Sequence, residues 1–480
     1  MSLPVPERPR ARQATAGALL TAATALPAAV LAVPDTTANV VPAAAEALGL
    51  GSGQIAGLLR ATGLSLPALL LAVPLGALAA RRLPAWTVLA AGLLTLLSGL
   101  GAARLAVSVP QVGIVRAVQG AGAGIALPGS LVLVWERRSR LPAALWAGGL
   151  TAALLTAMPL ALRAVPLPSA ATAAPDWRRA LAPTPWPAVA AAGAVILFLV
   201  LRDRRRRPLP ALRRAERGQL VLPLVPAGGF AFLAVIAAGG WSPGARLAVA
   251  GLALPALVGL ALTARRDATA GSPFGCAVVM ITTGLLTYPV AAPLAGLSAA
   301  AAEVRGDETG VPLAPFAAGG AAALAGALAA TRGDSRWAVL AGHALILAAL
   351  PLGLAAGAPA GTGLFALLIP LGTGAGLALA ASLRGANVGA ALFGLALCFP
   401  AVLTGQLLVL SLQSSWLLRR RPVTEAGQVE ALTGGYRAWL LVAAVCAVLL
   451  AAASARAAAK PTGKTAPIAR AEASASPSGR

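Results

Sequence analysis

The sequence predicts an all-α integral membrane protein with about fourteen transmembrane helices. Three observations predict it. Of 480 residues, 58% are hydrophobic and only 11% are charged, where a soluble domain carries about a quarter charged residues. Apolar runs of the length that crosses a bilayer, about 18 residues or more, recur along the whole chain. The cations collect in the short gaps between those runs. Gly and Pro are frequent in the runs, which lipid-embedded helices tolerate because neighbouring helices satisfy freed backbone groups. The runs are continuous and do not alternate with period two, which argues against a membrane barrel.

Taken in order, the expected spans are 17–42, 54–80, 86–103, 110–134, 142–162, 185–201, 219–240, 247–264, 273–297, 311–330, 338–356, 362–383, 386–412 and 438–455. The first follows Arg8, Arg10 and Arg12 like a signal peptide. It is too long for one and carries Asp35, so it reads as an uncleaved span. With the N-terminus inside, inner segments hold 26 of the 38 Lys and Arg, outer segments hold 10, and Arg60 and Arg116 lie within spans. The positive-inside rule then places both termini in the cytoplasm. Arg419–Arg421 fall in an expected outer loop and are the weak point of this topology.

The net charge of +23 would suggest nucleic acid in a soluble chain. Its confinement to short loops makes it a topology signal here, and no nucleic-acid partner is expected. "RDRRRRPLPALRRAER" (202–217) is the strongest inner marker. It reads as an anchor facing anionic lipid, with a specific regulatory lipid site as the alternative. The tail from 458 to 480 is polar, rich in small residues and expected to be disordered. Cys276, Cys398 and Cys446 are scattered through apolar runs with no CxxC, so neither a disulfide framework nor a metal site is expected. There is no HExxH, no GxxxxGK[ST] and a single His. These absences oppose an enzyme, an ATP-driven pump and any cofactor, and leave a proton gradient as the natural energy source.

"GALAARRLPAW" (76–86) recurs as "GALAATRGDSRW" (326–337), identical over five residues at an offset of 250. Each copy ends an expected span on the inner side and leads through a basic turn to a Trp. This suggests two related helical bundles with a substrate path between them. The expected organisation is an N-terminal six-helix bundle (1–201), a basic loop with two linker helices (202–272), a C-terminal six-helix bundle (273–457) and the tail.

"QVGIVRAVQGAGAGIALPGSLVLVW" (111–135) is apolar enough to span a bilayer, yet holds a cation. An ionisable residue in a span is costly and marks a functional hypothesis. Asp35 is the one acid placed well inside a span, roughly 10 Å deep at ~1.5 Å per residue, and Arg116 is about 9 Å deep on a helix of opposite direction. They are therefore expected to face each other. Gln119 and Gly120 share the face of Arg116, and Gly120 with Gly124 forms a small-xxx-small groove. Protonation of Asp35 would weaken its hold on Arg116 and bias the bundle. The alternative is a structural ion pair that carries no protons. Arg60 is placed to snorkel outward, or to act in the path. His343 reads as a hydrogen-bonded structural residue before a proton relay. Glu303, Asp307 and Glu308 read as a solvated outer loop. Asn387 and Gln406 either line the path or bond a neighbouring helix.

These residues resemble the major facilitator superfamily, and specifically its fourteen-helix drug:proton antiporter branch. Arg116, Gln119, Gly120 and Gly122 match the family's Arg-x-x-Gln-Gly-x-Gly in the fourth helix. "PDTTANVVP", with Asp35, Thr37, Asn39, Val40 and Pro42, resembles the branch's first-helix signature in a form two residues shorter. Gly76, Leu78, Ala79 and Arg81 match the loop after helix two, but Ala80 stands where the family has Asp and Leu83 where it has Gly. "DWRRALAPTPWP" (176–187) and "GGYRAWLLVAAVC" (434–446) resemble the approaches to helix six and the last helix. In helix five Pro159 remains, but Met158, Leu162 and Arg163 replace the flanking family pattern. The resemblance implies a major facilitator fold of two six-helix bundles with two extra helices between them, in the inner membrane of a bacterium. It further implies proton-coupled export of a hydrophobic or amphipathic small molecule. Asp35 and Arg116 would couple protons, and Gln119, Asn39, Arg60, Asn387 and Gln406 would line the path or its polar network. Gly76, Arg81, Arg82, Gly120, Gly124, Pro159, Gly326 and Arg332 would form the gating elements. The departures favour, as a second reading, a facilitator or accessory protein that no longer pumps.

Overall fold

A computed structural model describes residues 9–34, 37–137, 139–164, 177–182, 184–201, 209, 212, 214–237, 242–264, 273–306, 310–357 and 361–459. The first part of the chain forms α1 (Pro9–Val30), α2 (Thr37–Ala47), α3 (Ser52–Thr62), α4 (Ser65–Arg82), α5 (Ala85–Ala103), α6 (Val109–Trp135), α7 (Arg140–Ala164), α8 (Trp177–Leu181) and α9 (Trp186–Leu201). Then come α10 (Arg214–Val221), α11 (Leu224–Ala237) and α12 (Pro243–Ala264). The last part is α13 (Pro273–Leu286), α14 (Tyr288–Val304), α15 (Leu313–Ala329), α16 (Ser335–Ala355), α17 (Thr362–Gly385), α18 (Val388–Arg420) and α19 (Glu425–Ala459). Among the described residues, ten helical stretches are long and apolar enough to cross a membrane, and three shorter apolar helices accompany them. The structure is thus all-helical and multi-pass.

Four expected spans are interrupted, and prolines explain where. A proline ring collides with the carbonyl four residues earlier and lacks an N–H to continue the ladder. Span 17–42 stops at Val30, four before Pro34, and resumes as α2. Span 54–80 divides at Gly63–Leu64, with Pro67 four beyond Gly63. Span 219–240 divides at Leu222–Pro223, ahead of Pro226, and span 273–297 divides at Thr287, ahead of Pro289. Depth arithmetic along an unbroken first helix therefore does not apply to Asp35. The last two spans are longer than expected. At 33 and 35 residues, α18 and α19 are each about 50 Å long, well beyond a hydrocarbon core of about 30 Å. Arg419–Arg421 sit at the tip of this hairpin, where Arg420 pairs with Glu430 at 2.9 Å. These cations lie within the range of the apolar segment that the positive-inside rule counts, so they stay at odds with the expected topology.

The repeat seen in the sequence is also a repeat in packing. α4 and α5 both lie against α6, and α15 and α16 both lie against α17. Glycines set the approach. A methyl group on Gly120 would overlap the carbonyl of Ser65, and one on Gly372 would overlap that of Gly319. Gly122 meets α5 at Leu96 as Gly374 meets α16 at Gly342, and Gly124 meets α4 at Leu69 as Gly376 meets α15 at Ala323. The three pairs share one offset of 252 residues. Gly76 rests on α6 at Ile125 and Gly326 on α17 at Thr373. Such close backbone approach is how helices associate without a hydrophobic driving force between them. The linker helices occupy different sides: α11 packs along α4, and α12 along α18 through the buried stripe Ala250, Ala253, Leu257 and Ala261.

Candidate functional site

α6 starts at Val109 with Pro110 in its first turn, where a missing N–H costs nothing. Two turns later Arg116 is 2% exposed. Its Nε donates to Thr62 O at 3.0 Å, Nη1 to Gln119 Oε1 at 3.0 Å, and Nη2 to Pro34 O and Ser65 Oγ, both at 2.9 Å. Ser65 in turn donates to Ala32 O at 2.8 Å. Gln119 Nε2 donates to Leu181 O at 3.0 Å. Thr62 and Leu181 are the last residues of α3 and α8, and Ala32 and Pro34 follow the end of α1. The C-termini of α3 and α8 and the segment that follows α1 therefore converge on one guanidinium and its amide partner. Carbonyls at a helix end lack intrahelical donors and carry the negative end of the helix dipole. A buried cation is tolerable there because its fork of donors meets acceptors already in need of partners.

This network separates the main core from a small second one formed by Ala43, Ala44, Leu58, Ala61, Ala103, Val112, Val115, Trp177 and their neighbours. Arg178 joins that cap by donating from Nε to Ala106 O at 2.9 Å. A cavity of about 20 Å³ borders Arg116, Gln119, Leu181 and Thr184. That is room for about one water. Thr184 Oγ1, buried beside it, has no hydrogen-bond partner among the described residues.

The expected site residues fall into separate groups. Arg116, Gln119 and Gly120 lie together, with Gly124 one turn further on and Gly76 against it. Asp35 lies outside the described residues, as does the side chain of Asn39 in α2. Pro34, whose carbonyl Arg116 holds, is the residue immediately before Asp35. Arg60 is exposed in the last turn of α3 and takes no part in the network's hydrogen bonds. Asn387 is not in the body of a span: it is the N-cap of α18, with Oδ1 accepting from Ala390 N at 2.7 Å. Gln406 is half-buried on the same helix, and Pro159 is buried within α7. Arg82 and Arg332 are exposed at the matching ends of α4 and α15. Asp307 and Glu308 lie outside the described residues, and Glu303 is exposed. His343 is buried; Nδ1 lies 2.9 Å from Val339 O and Nε2 3.2 Å from Ser454 Oγ, so both ring nitrogens have partners.

Two residues escaped sequence reasoning. Ser65 is a lone hydroxyl in an apolar run, and only the break before α4 turns it toward Arg116. Glu216 is hidden in a basic loop. It binds Arg81 in a two-pronged ion pair, Nε to Oε1 at 2.6 Å and Nη2 to Oε2 at 2.9 Å. The Arg81 side chain is 2% exposed. The same carboxylate abuts Gly389 in the first turn of α18, where an added Cβ would lie 2.7 Å from Oε1. A single linker acid thus touches the end of α4 and the start of α18. The one signal for it came from the resemblance, whose motif has an Asp where Ala80 stands next to Arg81.

Solved structures with a similar fold are membrane transporters. A proton:xylose symporter, XylE, aligns with a TM-score of 0.53 at 15% identity, over 91% of this chain and 94% of its own. The human organic anion transporter MFSD10 aligns at 0.51 and 15% identity, over 92% and 100%. A proton-dependent oligopeptide transporter structure aligns at 0.55 and 14% identity, over 92% and 99%. The chain has the major facilitator fold. No family model matches the sequence, and no curated protein does.

Proposed function

We propose that this chain is a secondary transporter of the major facilitator type that exports a hydrophobic or amphipathic small molecule in exchange for protons. The observation that carries the reading is the guanidinium of Arg116, buried where broken helices end and hydrogen-bonded to the residue next to Asp35. Discontinuous helices with ion sites at their ends are where such folds bind and couple. In this reading Asp35 takes up a proton from outside. Its charge then no longer competes with the carbonyls for Arg116, and the α1–α2 break relaxes against α6. Arg81 and Glu216 close the cytoplasmic end, so that release of the clamp and reorganisation of the network alternate. Direction and the drug-like substrate class rest on the motif resemblance.

The second reading is a facilitator or accessory protein in which Arg116 is purely structural. Four acceptors from the described residues already surround it, which favours that alternative to a coupling role. Efflux of a panel of lipophilic dyes from energised cells without their own pumps separates the two. Efflux sensitive to an uncoupler and abolished by Asp35→Asn is the expected outcome. Flux that survives both would sink the coupling role and favour a facilitator, and well-inserted protein without any efflux would favour an accessory role.

A further inference from the structure

The linker helix α10 has a second face, turned away from the clamp. Arg214, Arg217, Gly218, Val221, Leu222 and Val225 line an open groove of about 450 Å³ along α10 and the start of α11. Their spacing, i, i+3, i+4, i+7, i+8 and i+11, keeps to one side of α10 and, across the short break at Leu222–Pro223, of the start of α11. It is cationic at one end and apolar at the other. Glu216, the acid between the two arginines, is absent from the groove because it is turned to Arg81.

The direction of this stripe is fixed by α4. Glu216 meets Arg81, and twelve residues later Gly228 meets Leu71, ten residues earlier on α4. α10 and α11 therefore run antiparallel to α4, from its basic end into the apolar depth. Arg214 opens α10 and Val225 lies beyond the break in the first turn of α11, so the stripe runs from the basic end toward the apolar depth. Val225 is 78% exposed and Leu222 and Val221 are about two-fifths exposed at 38% and 42%, so this apolar surface is left to the bilayer.

We infer that the groove binds an anionic phospholipid, with the phosphate between Arg214 and Arg217 and an acyl chain along Val221, Leu222 and Val225. Charge complementarity selects the phosphate, and the change from cationic to apolar along the stripe matches one lipid molecule from headgroup to tail. A seated lipid would hold α10 from the membrane side while Glu216 holds α4 and α18 from the other. The inference needs no transport activity, so it stands or falls separately from the function proposed above.

The test is native mass spectrometry of the delipidated full chain, titrated with phosphatidylglycerol and, separately, with phosphatidylcholine of the same chain length. Wild type is expected to retain phosphatidylglycerol preferentially. Arg214→Gln/Arg217→Gln should weaken it about 30-fold, the product of about fivefold for each surface cation, and leave phosphatidylcholine unchanged. Leu222→Asn/Val225→Asn should also weaken it, with both arginines intact. Arg332→Gln/Arg336→Gln removes two exposed cations elsewhere at the basic end and should change little. Equal loss in that control, or no loss in the Arg214/Arg217 variant, would overturn the site. Displacement of the lipid by inorganic phosphate, with no effect of the apolar substitutions, would also overturn it by assigning the groove to a soluble anion.

Discussion

Replacing Arg116 by Met is the perturbation whose cost follows most directly from the geometry. Met fills much of the same volume with no donor, so Thr62 O, Pro34 O, Ser65 Oγ and Gln119 Oε1 each lose a partner at a site 2% exposed. Hydrogen bonds within membrane proteins average ~0.6 kcal/mol each, which puts the lower figure near ~2.4 kcal/mol for four. Removing one partner of a buried charged network typically costs ~3–5 kcal/mol, which sets the upper figure. Arg116→Lys keeps the charge but lacks the fork that reaches all four acceptors, so about half of the loss should remain. Unfolding free energy in a bilayer, measured by steric trapping of a doubly labelled chain, reads both variants. A loss below about 0.5 kcal/mol for Arg116→Met would refute the view that this guanidinium holds the helix ends together. A full loss for Met with none for Lys would show that charge alone matters, and that the geometry of the fork does not.

The repeat makes a paired prediction: Gly120→Ala and Gly372→Ala should each destabilise by at least ~1–3 kcal/mol, because the added carbon meets the backbone carbonyls of Ser65 and Gly319. Gly193→Ala in α9, where a Cβ meets nothing within 4 Å, should stabilise by up to about 1 kcal/mol through helix propensity. The same unfolding assay ranks all three, and a neutral Gly120→Ala would contradict the close approach of α4 and α6. Asn387→Ala should cost about 1 kcal/mol as the loss of an N-cap while dye flux per folded molecule stays at the wild-type level. A selective loss of flux would instead return Asn387 to the substrate path.

Much of this architecture was legible in the chain itself. Apolar runs marked a multi-pass helical chain, because burial of backbone in lipid leaves helices as the main option for such runs, while the expected count of fourteen spans stands against ten stretches of spanning length among the described residues. The copied Gly-Ala-Leu-Ala-Ala segments marked an internal repeat, which the packing of α4–α6 and α15–α17 also shows. What was not legible was which prolines break a helix. Pro34, Pro67, Pro226 and Pro289 stand just beyond breaks, yet Pro27, Pro74, Pro128, Pro159, Pro255, Pro370 and Pro400 sit inside continuous helices. The local penalty is the same in both sets, and tertiary packing decides whether neighbours absorb it.

That choice governs the site. Read linearly, Arg116 needs a carboxylate opposite it, and Asp35 was the acid at hand. In the folded chain the breaks before Pro34 and Pro67 also aim carbonyls at it, so the cation has acceptors from the segment after α1, from α3 and from its own helix. The same holds for Arg81: the motif it resembles has a carboxylate where Ala80 stands, and the fold supplies one from Glu216, 135 residues away. The sequence by itself determined that the chain lives in a membrane as helices and pointed to Arg116 as a cation among them, since hydropathy and charge are properties of residues. Only the tertiary structure decided which groups meet those charges, because hydrogen-bond partners depend on where helices end and which ends converge.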